Sequence, residues 1–332
     1  MPSALVTGAT GLVGSHIVEQ LVRTGWSVRA VVRTPNPELA LRGVDTVLGD
    51  VLDVDTLARA AAGRDIIFHT AAAITQRGGW AAYRGLNVDG TSNAIEAAAR
   101  AGARLLQLSS VAVYGPNGRF RGALGKTDEN TPLAELPERA YYSRSKRESE
   151  HLVLAAHARG RIWATAVRPD VVYGPRDRQF VPRIAKLLQR GYAPLIDGGR
   201  STLAIVHAAN VADGAIRAAT HDVAGGQVYN LANDYDVTVR DFLRLAARGL
   251  GRPMHLIPIP LPIAKAAFRA TKAIVKLVAP GRASVLSVAS LSMITRDNPF
   301  TSDRARRELG WAPVIHPEQG IPDAFRWWLT HH

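Results

Sequence analysis

Cysteine is absent from this 332-residue chain. That absence excludes a disulfide framework, a thiolate nucleophile and a cysteine-ligated metal, and it suits a cytoplasmic setting. Long apolar runs are missing as well. The most hydrophobic stretch, 261–279, is broken by Lys265, Arg269, Lys272 and Lys276, so it does not read as a membrane-spanning helix. The opening "MPSALVTG" lacks the charged, apolar and small-residue zones of a secretion signal, so a cytoplasmic protein is expected. Ten histidines occur without metal spacing such as H-E-x-x-H, and no metal is expected. Acidic residues are in deficit, 28 against 41 Lys and Arg, for a formal net charge of +13. The bases are scattered, with no run of five like charges and no stripe interleaved with aromatics, so no nucleic-acid partner is expected. An arginine-rich surface that serves an anionic cofactor and solubility is the reading that remains.

What is present is a chain 47% hydrophobic and long enough for about two domains. Its first half alternates strands with helices. "SALVT" (3–7), "SVRAVV" (27–32), "DTVLG" (45–49), "DIIFHTA" (65–71), "RLLQLSS" (104–110) and "IWATAVRP" (162–169) read as strands. Segments 12–24, 53–62, 80–101 and 141–158 carry helical spacing. Strands joined through helices need crossover connections, hence a mostly parallel sheet covered on both faces. After about residue 170 the rhythm breaks and proline-rich pieces such as "LIPIPLPI" (256–263) appear. The fold expected is α/β, a Rossmann doubly wound parallel sheet with a smaller, mostly helical C-terminal substrate lobe. Residues 1–170 are expected to form the nucleotide domain, with 205–234 returning to it. Residues 171–204 and 235–330 are expected to form the lobe.

"TGATGLVG" (7–14) lies between the first strand and the first helix. Gly8 permits the tight turn, Gly11 lets a pyrophosphate approach the backbone, and Gly14 lets helix pack on strand. The amides at the helix start then face the phosphates. At the end of the second strand, where NAD-binding chains place a ribose-binding carboxylate, stands Val32, followed by Arg33. A carboxylate would repel a 2′-phosphate, whereas a guanidinium grips one, so NADP(H) is favoured over NAD(H). Tyr142 and Lys146, four apart in a helical segment, share a face. An ammonium beside a phenol favours the phenolate and makes the pair competent to exchange a proton. Tyr141 has no lysine at that spacing. A hydroxyl, Ser109 or Ser110, ends the fifth strand at the edge where open α/β sheets bind ligands.

Seven elements in order resemble the extended short-chain dehydrogenase/reductase family. They are "TGATGLVG", "GDVLD" (49–53), "HTAA" (69–72), "NVDGT" (87–91), "LSSVAVYG" (108–115), "YSRSK" (142–146) and "RPDVVYGPRD" (168–177). "FTSDRARRELGWAP" (300–313) resembles the branch of 3β-hydroxysteroid dehydrogenases, dihydroflavonol reductases and 3-oxo-alkanoate reductases. The resemblance selects Ser110 over Ser109 and implies a catalytic group of Ser110, Tyr142 and Lys146, with Lys146 also holding the nicotinamide ribose. It implies a cofactor site that takes in Thr10, Leu12, Val13, Asp50, Val51, Ala71, Ala72, Ala73, Arg168, Pro169 and Val171 besides the glycines and Arg33. The competing reading of Asp50 is a helix cap. Asn87 is implied to hold the geometry of the site, and His69 and His207 read as packed histidines.

The activity implied is a ketone–alcohol oxidoreductase. A nucleotide-sugar epimerase uses the same triad but retains NAD, and it usually has the acidic residue missing at Val32. A sugar dehydratase is disfavoured because Val111 and Ala112 replace its Asp-Glu pair, and a cofactor-sensing binding protein would have little reason to keep the triad. Leu256, Ile257, Ile259, Leu261, Ile263 and Phe268 suggest apolar cleft walls for a steroid-like, aryl or 3-oxoacyl substrate. Arg176, Arg178, Arg183 and Arg190 favour a diphosphate or thioester instead. Segment 263–278 reads as a basic amphipathic helix, either docked, a lid, or a peripheral membrane contact. The family likeness implies a homodimer through helices 80–101 and 141–158.

Overall fold

A computed structural model describes residues 1–74, 78–115, 125–232, 235–278, 295 and 297–332, with the backbone alone for 272–278. Its centre is a seven-stranded sheet. Strands β1 (Ser3–Thr7), β2 (Ser27–Val32), β3 (Asp45–Leu48), β4 (Ile66–His69), β5 (Arg104–Leu108) and β6 (Ala164–Pro169) alternate with helices. The helices are α1 (Leu12–Arg23), α2 (Pro37–Leu41), α3 (Val54–Ala61), α4 (Gly79–Arg84), α5 (Gly90–Ala101) and α6 (Tyr141–Ala158). After β7 (Val171–Tyr173), α7 (Phe180–Leu188), β8 (Tyr192–Ile196), β9 (Ile205–His207) and α8 (Ala208–Thr220), strand β10 (Val228–Leu231) completes the sheet. The order is β10-β6-β5-β4-β1-β2-β3, and every neighbouring pair is parallel. Strands β1, β4 and β6 are buried along their whole length, as a sheet covered on both faces requires.

One sheet face packs on α1 and α8, around Ile17, Leu21, Val211 and Ala215. The other packs on α3, α5 and α6, around Leu57, Ala94, Ala98 and Val153. Strand order reverses between β1 and β4, whose register pairs Thr7 with His69. The carboxyl ends of the central strands therefore open a crevice there, the place where doubly wound sheets bind ligands.

The segment expected as one helix over 80–101 is instead α4, a π turn over Gly85–Asp89, and α5. The physical reason is Asn87, whose side-chain amide clasps Ala73 from both sides. Its Oδ1 accepts from the Ala73 N–H (2.6 Å) and its Nδ2 donates to the Ala73 carbonyl (3.0 Å). Widening the helix by one residue turns Asn87 toward β4.

A third core joins α7, β8 and Leu203 to α9 (Val239–Gly249) and α12 (Pro317–His331), around Leu195, Phe242, Ile321 and Phe325. β8 pairs in parallel with β11 (His255–Ile259), which leads into α10 (Leu261–Val278). Helix α11 (Asp303–Leu309) and Trp311, within the span expected to belong to the lobe, pack on the sheet core. Trp311 is fully buried and donates Nε1–H to the Asn210 carbonyl of α8 (3.0 Å). No described helix is long and apolar enough to cross a membrane.

Candidate active site

At the switch point the backbone is left bare. Gly8 adopts φ +70°, and a Cβ on it would come within 2.7 Å of the Ala71 nitrogen. A Cβ on Gly14 would lie 2.2 Å from the Gly8 carbonyl oxygen. α1 begins after Gly11 with no side chain capping its first amides, and Gly11 and Thr10 are exposed. Leu12 is half-buried, and Val13 and Gly14 are buried. A bare turn that feeds an uncapped helix start fits a pyrophosphate. Ala71 and Ala72 are half-buried across the crevice, at the end of β4.

Around the adenosine end implied by the resemblance, Arg33 follows Val32 directly and is exposed, with no ion pair among the described residues. Asp50 is half-buried and accepts from the Leu52 N–H (3.0 Å), so it closes a turn. The helix-cap role weighed for Asp50 belongs to Asp53, which accepts from the amides of Asp55 and Thr56. Val51 is buried in the core it shares with α3 and α5, so little of its side chain faces outward.

The three candidate catalytic residues come together beyond the end of β5. Ser110 accepts from the Ala112 N–H (3.2 Å), and its hydroxyl lies close enough to the Tyr142 phenol to pull the phenol's pKa down. Lys146, one turn along α6 and 4% exposed, donates to the Leu108 carbonyl (2.6 Å). Burial raises the Tyr142 phenol above the ordinary tyrosine value, against the opposing pull of Ser110. This corrects the expectation of a phenol lowered by lysine. Without a charged partner at the phenol, desolvation dominates. Burial also lowers the Lys146 amine to about 8, with Glu150 opposing.

Behind this group lies a polar scaffold. Asn87 Nδ2 also reaches Ser145 Oγ (2.9 Å), and Ser145 donates to the Tyr142 carbonyl (2.9 Å). The clasp on Ala73 is thus tied to the helix that carries the tyrosine. His69 is buried, with Nδ1 at 2.9 Å from Thr7 Oγ1, and desolvation followed by the Lys146 charge lowers it to about 3. His207 caps α8 by accepting from the Ala209 N–H (3.2 Å), and burial lowers it to about 4. Both are neutral, packed histidines.

Arg168, expected among the cofactor-binding residues, is 4% exposed, and its guanidinium forms a forked ion pair with Glu150 of α6 (2.5 and 3.0 Å). It also donates to the Tyr114 hydroxyl (2.8 Å), while Ser109 donates to Glu150 (2.6 Å). The side chain is fully engaged, so only its main chain remains for a ligand. Pro169 is buried at the end of β6, and Val171, just past it, is 36% exposed. Ser145 and Glu150 were missed as supporting residues. Their positions on the Tyr142–Lys146 helix, three and eight beyond Tyr142, were the available signal. Of the residues expected to wall an apolar cleft, Ile257 and Ile263 stand 49% and 59% exposed, while Leu256 packs on the third core. No group of metal-binding side chains occurs among the described residues.

Comparison with known proteins agrees with this geometry. Residues 4–232 match the model of the NAD dependent epimerase/dehydratase family. The chain is 34% identical over 325 residues to a 4-hydroxy-2-methyl-3-oxo-4-farnesyl-3,4-dihydroquinoline-1-oxide ketoreductase of Stigmatella aurantiaca, covering 97% of this chain and 95% of that one. It is 28% identical to a 3 beta-hydroxysteroid dehydrogenase/Delta 5-->4-isomerase of Mycobacterium tuberculosis (strain ATCC 25618 / H37Rv), over 98% of this chain and 90% of the relative. The solved structure of MoeE5 in complex with UDP-glucose and NAD superposes with a TM-score of 0.71 at 25% identity, covering 99% of both chains.

Proposed function

The chain belongs to the NAD dependent epimerase/dehydratase family of extended short-chain dehydrogenase/reductases, and from that membership and its site we propose an NADP(H)-dependent oxidoreductase that interconverts a ketone and a secondary alcohol on a bulky apolar substrate. The observation that carries this reading is the placement of Tyr142 and Lys146 one turn apart on α6, with Lys146 held by the Leu108 carbonyl two residues before Ser110 at the carboxyl edge of the sheet. When bound, the reduced nicotinamide supplies a hydride. The bare turn Gly8–Gly11–Gly14 would hold the pyrophosphate, Arg33 the 2′-phosphate, and Lys146 the nicotinamide ribose. Ser110 and Tyr142 would flank the carbonyl oxygen of the substrate. Tyr142 would deliver its phenolic proton to that oxygen in the reducing direction. Asn87 and Ser145 keep the tyrosine helix in register with the end of β4.

The substrate class draws support from the 34% identity to a ketoreductase whose named substrate carries a farnesyl group. The UDP-glucose complex of MoeE5 keeps an NAD-retaining epimerase as the second reading, and Val32 and Arg33 weigh against it. The reading also takes the protein as a homodimer through residues 80–101, which span most of α4, the π turn and α5, and through α6. A panel assay tests it. NADPH-linked reduction should be found among apolar ketones and 3-oxoacyl compounds, and Tyr142→Phe should lower kcat by about 10² to 10⁴ with NADPH binding nearly unchanged. Epimerisation of a UDP- or TDP-sugar with no ketone reduction, or near-normal kcat in Tyr142→Phe, would overturn it.

A further inference from the structure

Between Asp241 and Asp297 the chain has no acidic residue, while nine Lys and Arg fall in those 55 positions. Lysine is scarce elsewhere, yet three of the six lysines in the whole chain lie on α10. This helix shows three sides over its described side chains. Leu261, Ala264 and Phe268 are half-buried and face the protein. Ile263, Ala267 and Ala270 form an apolar line in solvent, with Ile263 59% exposed. Lys265 and Arg269 project from the side opposite that line, exposed and without an ion pair among the described residues. The outer face of the β8–β11 pair, just before α10, adds exposed Tyr192 and Ile257 from strands in direct register.

We propose that α10 and the outer face of β8–β11 dock the protein on an anionic lipid bilayer. The Ile263–Ala267–Ala270 line would enter the boundary between headgroups and acyl chains, and the long basic side chains would bend back to headgroup phosphates. The acid-free stretch supplies the charge complementarity, since nothing in it repels a negative surface or neutralises its bases. A nucleic acid fits less well. The only aromatic side chain on α10, Phe268, faces inward, so Tyr192 of β8 stands without a row of stacking partners along the basic helix. A lid over the chain's own site would have its apolar line covered, whereas this line is in solvent. The proposal stands apart from the substrate reading above.

Co-sedimentation of the full chain with vesicles tests it. Binding is expected to vesicles of phosphatidylglycerol and phosphatidylcholine in equal parts, with little to phosphatidylcholine alone, and release is expected at high salt. The double variant Lys265→Ala/Arg269→Ala should bind about 30-fold more weakly, about fivefold per base. Ile263→Asp should weaken binding on the order of tenfold by removing apolar insertion. Both variants should keep the parental thermal midpoint, since the three side chains are exposed, so lost binding would not mean lost folding. The proposal is overturned by absence of binding to the anionic vesicles or by equal binding of the double variant. It is also overturned if Ile263→Asp binds normally while heparin competes, the behaviour of a site for a soluble polyanion.

Discussion

The residue most open to a decisive measurement is Arg33. It stands in solvent at the end of β2, beside a Val32 that offers no carboxylate to ribose hydroxyls. A guanidinium with no partner among the described residues forfeits little when a phosphate arrives, so its bond to a 2′-phosphate would be nearly all gain. Arg33→Ala is expected to weaken NADPH by about 1.5–3 kcal/mol and to leave NADH little changed. Comparing kcat/KM for the two coenzymes in both proteins checks this, and an unchanged preference would remove Arg33 from the cofactor site. At the same scale, Lys146 differs from the other cations. It is buried, held by the Leu108 carbonyl, and lowered to about 8. Its charge is therefore sensitive to whatever occupies the crevice beside it.

At the scale of elements, α6 joins the proposed catalytic group to the stability of the fold. One turn carries Tyr142 and Lys146 toward the crevice, and Glu150, a turn further, anchors the helix to β6 through Arg168. Both members of that pair are about 95% shielded from solvent, at 5% and 4% side-chain exposure. Removing one leaves the other buried without a counter-charge. Arg168→Ala is expected to destabilise the fold by about 3–5 kcal/mol in urea unfolding. Replacing both partners with apolar residues of similar volume, Arg168→Met with Glu150→Leu, should restore much of that loss. A cost for Arg168→Ala below about 1 kcal/mol would show that the pair is solvated like a surface ion pair.

Across the whole molecule, three buried histidines make stability depend on pH. His16 of α1 and His207 at the end of β9 pack edge to face at 5.9 Å, with His207 also against Tyr173 and close to Gly320 of α12. His69 lies at the end of β4. Burial lowers His16 and His69 to about 3 and His207 to about 4, whereas the unfolded chain protonates near 6.5. Below pH 6.5 the unfolded state therefore binds protons that the native state refuses. The stabilisation from keeping these rings neutral is complete above pH 6.5 and declines as pH falls toward 3. Glu129 and Asp177, raised by burial, act with the opposite sign in their own range. Urea midpoints are expected to drop between pH 7.5 and 5, and His16→Gln should flatten that drop. An identical slope in the variant would mean that His16 titrates freely in the folded protein.

Much of this molecule is written locally. The glycine turn, the bounds of α6, and the strand–helix alternation follow from short-range patterns, because apolar periodicity, glycine conformation and i,i+4 spacing operate within a few residues. The same locality makes Tyr142 rather than Tyr141 the partner of Lys146. Other features depend on residues far apart in the chain. The π turn at Gly85–Asp89 exists because Asn87 meets Ala73 across the crevice, and a helical pattern from 80 to 101 carries no trace of that contact. The engagement of Arg168 depends on Glu150 of α6 and Tyr114 beyond β5 lying beside β6, and the upward shift of Tyr142 depends on how completely α6 is covered. The outward apolar line of α10 was equally open to a buried or an exposed reading from periodicity alone. Sequence thus determined most of the elements, the turn and the Tyr142–Lys146 spacing, because their causes are local. Only tertiary structure decided partners, burial and charge state, because those depend on which distant segments exclude water from one another.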